Sequence, residues 1–231
     1  MTTLSPIQQS LVIPAYNEED RIARLFERIG DFGGELIVVC DGDDRTPDVV
    51  GQIAASRHDL NIRCLRFPQR LGKGGGVIEG MKAARGTWIG YMDADGSTGI
   101  GEMTKLFSHL SACDGAIGSR WVNGAVLGVR QGLLRRFESR AFNLITRLLF
   151  GLAYHDTQCG AKVFRKSAID AVLSDMVSTG FEFDVELLWR MKQGGYSVRE
   201  FPIAWQNTGD SHVERRDMIR MLAGLLRVRF G

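Results

Sequence analysis

The segment Trp88-Ile89-Gly90-Tyr91-Met92-Asp93-Ala94-Asp95-Gly96-Ser97-Thr98-Gly99 reads as a strand that stops at an acid pair. Trp88 to Met92 is apolar throughout, as strands covered on both faces are. At its carboxyl end two carboxylates, two positions apart, enter a Gly-Ser-Thr-Gly loop. Free of the pleat, both can converge on one cation. Ligands that are all oxygen suit Mg²⁺ or Mn²⁺, which complete their shells with water and phosphate oxygens. Asp-x-Asp is short and common, and a solvated, helix-capping pair fits it too. The apolar strand before it, and a second acidic strand end at Asp41, favour function.

Working outward, the same alternation repeats. Leu11 to Pro14 is a buried strand feeding a loop, and Asn17 to Ile29 has helical spacing at Ile22, Leu25, Phe26 and Ile29. Leu36 to Cys40 is a strand, Val49 to Ser56 a helix, and Ile62 to Phe67 a strand. Gly72 to Gly76 opens a helix that runs to about Ala84. Strands alternating with helices predict an α/β fold: a mostly parallel mixed sheet with helices on both faces. Ligands of such sheets sit beyond the carboxyl ends of the strands, where Tyr16, Asp41 and Asp93 fall. The second half differs. Leu133 to Phe150 is an arginine-rich helical pattern, Phe181 to Lys192 a helix, and Val198 to Trp205 a strand. With no linker in evidence, one domain over 1–213 is expected, followed by an amphipathic helix over 214–231. In that helix Arg216, Arg220 and Arg227 oppose Met218, Met221, Leu222, Leu225, Leu226 and Val228.

Composition narrows the function classes. The 231 residues are 44% hydrophobic and 24% charged, which excludes a disordered or collagen-like chain. Lys plus Arg number 29 against 27 Asp plus Glu, so charge gives no argument for nucleic acid. Cys40, Cys64, Cys113 and Cys159 lack C-x-x-C spacing and read as reduced thiols of a cytoplasmic protein. Met1 to Gln9 lacks a signal-peptide pattern, and no segment reaches the ~20 apolar residues of a spanning helix. Gly72-Lys73-Gly74 is not a Walker A loop, because Phe67 and Gly74 stand where Gly and Ser or Thr are needed. No Gly-x-Gly-x-x-Gly follows the first strand either. Lys73 fits a diphosphate contact and a plain helix-entry turn about equally.

Taken in order, Pro14-Ala15-Tyr16-Asn17-Glu18-Glu19, the Asp41 turn, Leu71-Gly72-Lys73-Gly74, Asp93-Ala94-Asp95 and Gly118-Ser119-Arg120 resemble family-two glycosyltransferases of the GT-A fold. Arg135-x-x-x-Ser139-Arg140, Asp156-Thr157-Gln158-Cys159-Gly160 and Gly180-Phe181-Glu182-Phe183-Asp184-Val185-Glu186-Leu187 are similar to the dolichyl-phosphate (polyprenyl-phosphate) glucose and mannose synthases. The Asp-Thr-Gln-Cys-Gly wording is nearer the glucosyltransferase type.

The resemblance implies an inverting, metal-dependent transfer of a hexose to dolichyl or polyprenyl phosphate, with UDP-glucose the favoured donor and GDP-mannose next. It puts Pro14, Ala15, Tyr16, Glu18, Asp41, Lys73, Asp93 and Ala94 around the donor, with Asp41 facing the base. Asp93 and Asp95 would hold Mg²⁺ or Mn²⁺, with Ser97 at the third ligand position. Arg120, Arg135, Ser139 and Arg140 would meet the acceptor phosphate, and Arg120 and Arg135 would share in catalysis with the two aspartates. The family's Gly-x-Ser-Lys becomes Gly209-Asp210-Ser211-His212. Two alternatives stay open: a hydroxyl acceptor with Asp184 as base, or a nucleotide-sugar-binding protein without turnover. The implied partners are a nucleotide diphosphate sugar, a lipid-linked phosphate and a membrane surface, at its cytoplasmic face. Nucleic acid is not among them.

Overall fold

Leu11, Val12 and Ile13 are fully buried in the first strand, and their side chains alternate between two separate cores. That is why the run is apolar at every position instead of every second one. In the computed structural model, which describes residues 7–128, 133–206 and 215–230 (backbone only for 133–139 and 215–219), this strand is β1, Gln9–Ala15. It pairs in parallel with β2 (Glu35–Cys40) on one side and β4 (Trp88–Tyr91) on the other, with Leu11 opposite both Leu36 and Gly90. β3 (Asn61–Arg66) extends the parallel block at the edge. Beyond β4, β7 (Lys162–Arg165) runs antiparallel between β4 and β5 (Gly115–Ser119), and β8 (Val198–Pro202) pairs in parallel with β5. The sheet order is therefore β3-β2-β1-β4-β7-β5-β8.

One face is covered by α1 (Glu19–Arg28), α2 (Thr46–Ser56) and α4 (Ile100–Ser108), through Ile22, Phe26, Val50, Met103 and Phe107. The other carries α3 (Gly72–Ala83), α6 (Lys166–Leu173) and α7 (Phe183–Gln193), through Val77, Met81, Ile169, Phe183 and Leu187. The glycines of α3 have a packing reason: a Cβ at Gly80 would lie 2.2 Å from Val12, and one at Gly74 2.5 Å from Phe183. Gly72 sits at φ 77°, where an L side chain is strained, and turns the chain so that α3 begins beside Thr179.

β5, β7, α4 and α6 go beyond the sequence expectation. Gly115-Ala116-Ile117-Gly118-Ser119 has little side-chain pattern, and β7 has only Val163 and Phe164 between two charged ends. The strand expected over Val198 to Trp205 is divided. β8 ends at Pro202, Ile203 turns its side chain into the core, and β9 (Ala204–Trp205) pairs with β6 (Val126–Leu127) in a second, two-stranded sheet. Pro202 is tolerated because β8 is the edge strand, and Ile203 still donates its N–H to the Ser119 carbonyl of β5 at 3.2 Å.

α5 (Leu133–Phe150) and α8 (Arg215–Phe230) lie against each other, with Arg229 Nε donating to the Leu149 carbonyl at 3.2 Å. The apolar side of α8 is shared: Met221 and Leu225 are buried in the core, while Leu226 and Phe230 stay exposed. Among the described residues no helix is long and apolar enough to cross a membrane.

Candidate functional site

The loops after β1 and β2 are laced together by short polar side chains. Asn17, at φ 53°, donates from Nδ2 to Asp43 (3.0 Å) and accepts the Asp43 N–H at Oδ1 (3.1 Å). Asp44 accepts the Glu19 N–H (3.0 Å), and Thr46 Oγ1 accepts the Glu18 N–H (2.8 Å). This lacing holds Pro14, Ala15, Tyr16 and Glu18 at the carboxyl edge of the sheet. Tyr16 is exposed, with the Arg70 guanidinium 3.9 Å from its ring centre. Glu18 is drawn inward against Arg21 (2.6 Å). Burial pushes its carboxyl up to about 7, Arg21 opposes the shift, and Asp95 and Asp44 add to it.

Asp93 and Asp95 leave β4 beside this loop pair. Asp93 fits only because residue 160 is glycine, since a Cβ there would lie 2.0 Å from Asp93 Oδ2. Asp95 accepts the Ser97 N–H at 2.8 Å, and burial followed by the Asp93 charge raises its carboxyl above the usual range. Ser97 thus stands against Asp95, and Ala94 is buried between the two acids. Gln206 donates its N–H to the Ser97 carbonyl (2.9 Å) and Trp205 bridges Thr98, so β9 pins the far side of the loop. Two all-oxygen side chains side by side, with the Asp93 charge acting on Asp95, suit a hard divalent cation. Among the described residues no third His, Cys, Asp or Glu completes a metal cluster, so further oxygens would have to come from bound diphosphate and water.

The resemblance sends Asp41 to the base. In the structure its Oδ2 accepts the N–H groups of Leu71 (2.8 Å) and Gly72 (3.1 Å). Asp41 therefore fixes the turn that presents Lys73, whose Nζ lies 2.9 Å from Asp93 Oδ1. On the opposite side, Arg120 grips Asp156 through Nε (2.7 Å) and Nη2 (2.8 Å), between the rings of Trp121 and Trp205. Its charge is already matched within the protein, leaving Nη1 outside the pair. Arg140 is exposed on α5. The side chains of Arg135 and Ser139, and the segment Gly209 to His212, lie outside the described residues.

A buried group behind Asp93 escaped the sequence reading. Lys162 has no exposed surface, and its Nζ donates to Asp184 Oδ1 and to the Cys159 carbonyl, both at 2.5 Å. Tyr91 donates its hydroxyl to the same Asp184 oxygen, and Lys73 Nζ is 3.7 Å from Asp184 Oδ2. Although burial pushes the Asp184 carboxyl up, Lys162 and Lys73 hold it below the usual carboxylate range. One signal was available: Lys162 is a lone charge between Ala161 and Val163-Phe164.

Residues 10–173 match the family described as Glycosyl transferase family 2. Glycosyltransferase AglD of Haloferax volcanii is 34% identical over 237 residues, covering 97% of this chain, which spans 37% of that protein's length. The dolichyl-phosphate beta-glucosyltransferase of Saccharomyces cerevisiae is 30% identical over 248 residues, with 95% of this chain and 73% of the yeast protein covered. Among solved structures, glucosyl-3-phosphoglycerate synthase from Mycobacterium tuberculosis, in complex with Mn²⁺, UDP and glucosyl-3-phosphoglycerate, superposes with a TM-score of 0.68. It shares 18% identity and covers 96% of this chain and 80% of its own, a likeness of fold. With the acid pair, its flanking loops and the sheet order all in place, the chain belongs to glycosyl transferase family 2 and is a glycosyltransferase of GT-A fold.

Proposed function

We propose that this enzyme transfers a hexose, glucose first, from a nucleotide diphosphate sugar to a dolichyl or polyprenyl phosphate, with inversion and with Mg²⁺ or Mn²⁺. The observation that carries the reading is the state of Asp184. At the position where related enzymes with hydroxyl acceptors keep a base, this carboxylate is buried and held by Lys162 and Tyr91. A phosphate acceptor needs no such base, because its second pKa near ~6 leaves it mostly dianionic at neutral pH. The names of the relatives support the acceptor and the sugar, and the Mn²⁺ in the mycobacterial complex supports the metal.

In this reading Tyr16 and Glu18 receive the nucleoside, and Asp93 and Asp95 hold the metal, which when bound stabilises the departing diphosphate. Arg120, with Arg135, Ser139 and Arg140, orients the acceptor phosphate, and positioning supplies much of the rate. The lipid would be met by α5 and α8. Leu144, Ile145 and Leu148 of α5 and Leu226 and Phe230 of α8 are exposed on adjoining helices that also carry Arg140, Arg147, Arg220 and Arg227. Apolar side chains with basic neighbours suit the cytoplasmic face of an anionic bilayer, each arginine near the surface adding about 1 kcal/mol.

The test is a transfer assay with UDP-glucose, UDP-GlcNAc or GDP-mannose and dolichyl phosphate, in Mn²⁺ or in EDTA. A glucosyl-phosphoryl lipid formed from UDP-glucose in Mn²⁺ alone is the expected product. Transfer to hydroxyl acceptors, with the lipid phosphate inert, would overturn the reading.

A further inference from the structure

We propose that Lys73 is a resident cation of the donor diphosphate site, competing with the divalent metal for Asp93 and giving the donor a foothold when metal is absent. The inference rests on the donor reading above and adds a property to it.

Lys73 is placed by the fold, not left to solvent. Its turn is fixed by the Asp41 carboxylate at Leu71 and Gly72, and its side chain is only 15% exposed. Nζ lies between Asp93 and Asp184, and Asp184 is anchored from behind by Lys162 and Tyr91. Lys162 alone suffices to neutralise Asp184, so the second lysine answers to the acid pair in front of it. Lys73 and Lys162 face Asp93, Asp95 and Asp184, which leaves the group one negative charge. A divalent cation at the acid pair would reverse that sign and draw in an anion. Because the lysine occupies one oxygen of Asp93, metal and ammonium act on the same carboxylate. Once a diphosphate enters, the ammonium can serve its oxygens with a charge-assisted hydrogen bond.

Such a residue has a signature of two opposite signs. In Lys73→Met, Mn²⁺ should bind the nucleotide-free protein roughly tenfold more tightly, while UDP or GDP measured in EDTA should bind roughly tenfold more weakly, each change being about 1.4 kcal/mol. Isothermal titration calorimetry reads the nucleotide and electron paramagnetic resonance of free Mn²⁺ reads the metal, both without turnover. Lys73→Gln, which keeps a polar tip, should show the same two signs if the charge is what matters. A lysine that merely supports the fold would weaken both ligands together, and that result, or no change in either, overturns the proposal. Wild-type protein that binds UDP or GDP in Mn²⁺ but not in EDTA overturns it while sparing the donor reading. Failure of both nucleotides to bind even in Mn²⁺ would overturn the donor reading and the proposal together.

Discussion

The two sides of the acid pair are built on different physics. Toward β1 and β2, the loops are joined by Asn17, Asp43, Asp44 and Thr46, mostly through hydrogen bonds to backbone N–H groups near the surface. Toward β7 and β5, the side chains are fixed by ion pairs with little or no solvent contact, Arg120 with Asp156 and Lys162 with Asp184. A laced loop tolerates the loss of one bond, since water can replace it. A buried pair that loses one member strands a charge. The laced side can therefore adjust around a ligand, whereas the ion-paired side is rigid.

The contrast can be broken most forcefully at the acid pair itself. Asp95→Asn should lower transfer by about 10²-fold or more, since a neutral amide is a poor ligand for a hard cation and its charge no longer serves the site. The melting temperature should hold or rise, because the substitution removes a carboxylate that burial, and after it the Asp93 charge, disfavours. Transfer undiminished in this variant, or in wild-type protein with excess EDTA, would remove the metal from the mechanism.

Next in size is the comparison of the two walls. Asp156→Ala should cost about 3 kcal/mol of stability in urea unfolding, because Arg120 is left without its partner. Asn17→Ala on the laced side should cost about 1 kcal/mol, the usual net value of a hydrogen bond that water can replace. Equal costs would mean that the two sides do not differ as described. A weaker effect is expected at the helices: Leu148→Glu with Phe230→Glu should reduce co-flotation with anionic liposomes and raise the apparent KM for long-chain acceptor. Nucleotide binding should be unchanged, since neither residue is near the acid pair's loops.

A pH dependence is expected at Glu18. Its folded carboxyl is raised to about 7 from 4.5, so the folded state holds the proton more tightly than the unfolded chain. Stability from this group is full below about 4.5 and falls as pH rises toward 7. Glu18→Gln should therefore raise the melting temperature relative to wild type at pH 8 and leave it close to wild type at pH 5. An equal difference at both values would show that Glu18 does not titrate in this window.

Much of the fold was legible without coordinates. Continuous apolar runs at Leu11, Leu36 and Trp88 specify strands buried on both faces, and helices between them force those strands parallel. Parallel strands gather their carboxyl ends on one edge, so Tyr16, Asp41 and Asp93 had to meet there. The helices α5 and α8 were visible in the same way, from spacing along the chain.

What the chain alone could not declare was which charge meets which. Asp41 turned out to hold the Lys73 turn, Arg120 to be engaged by Asp156, and Lys162 to lie beneath Asp184. Cys40 and Cys64, far apart in sequence, bring their sulfurs to 3.7 Å across β2 and β3. The division of α8 between the core, at Met221 and Leu225, and the surface, at Leu226 and Phe230, was equally hidden. Periodicity is a local property, written every two or every three to four residues. Pairing between distant charges depends on strand register and on which helix covers which face, so the amino-acid sequence determined the frame and the acid pair, while tertiary packing decided what surrounds them.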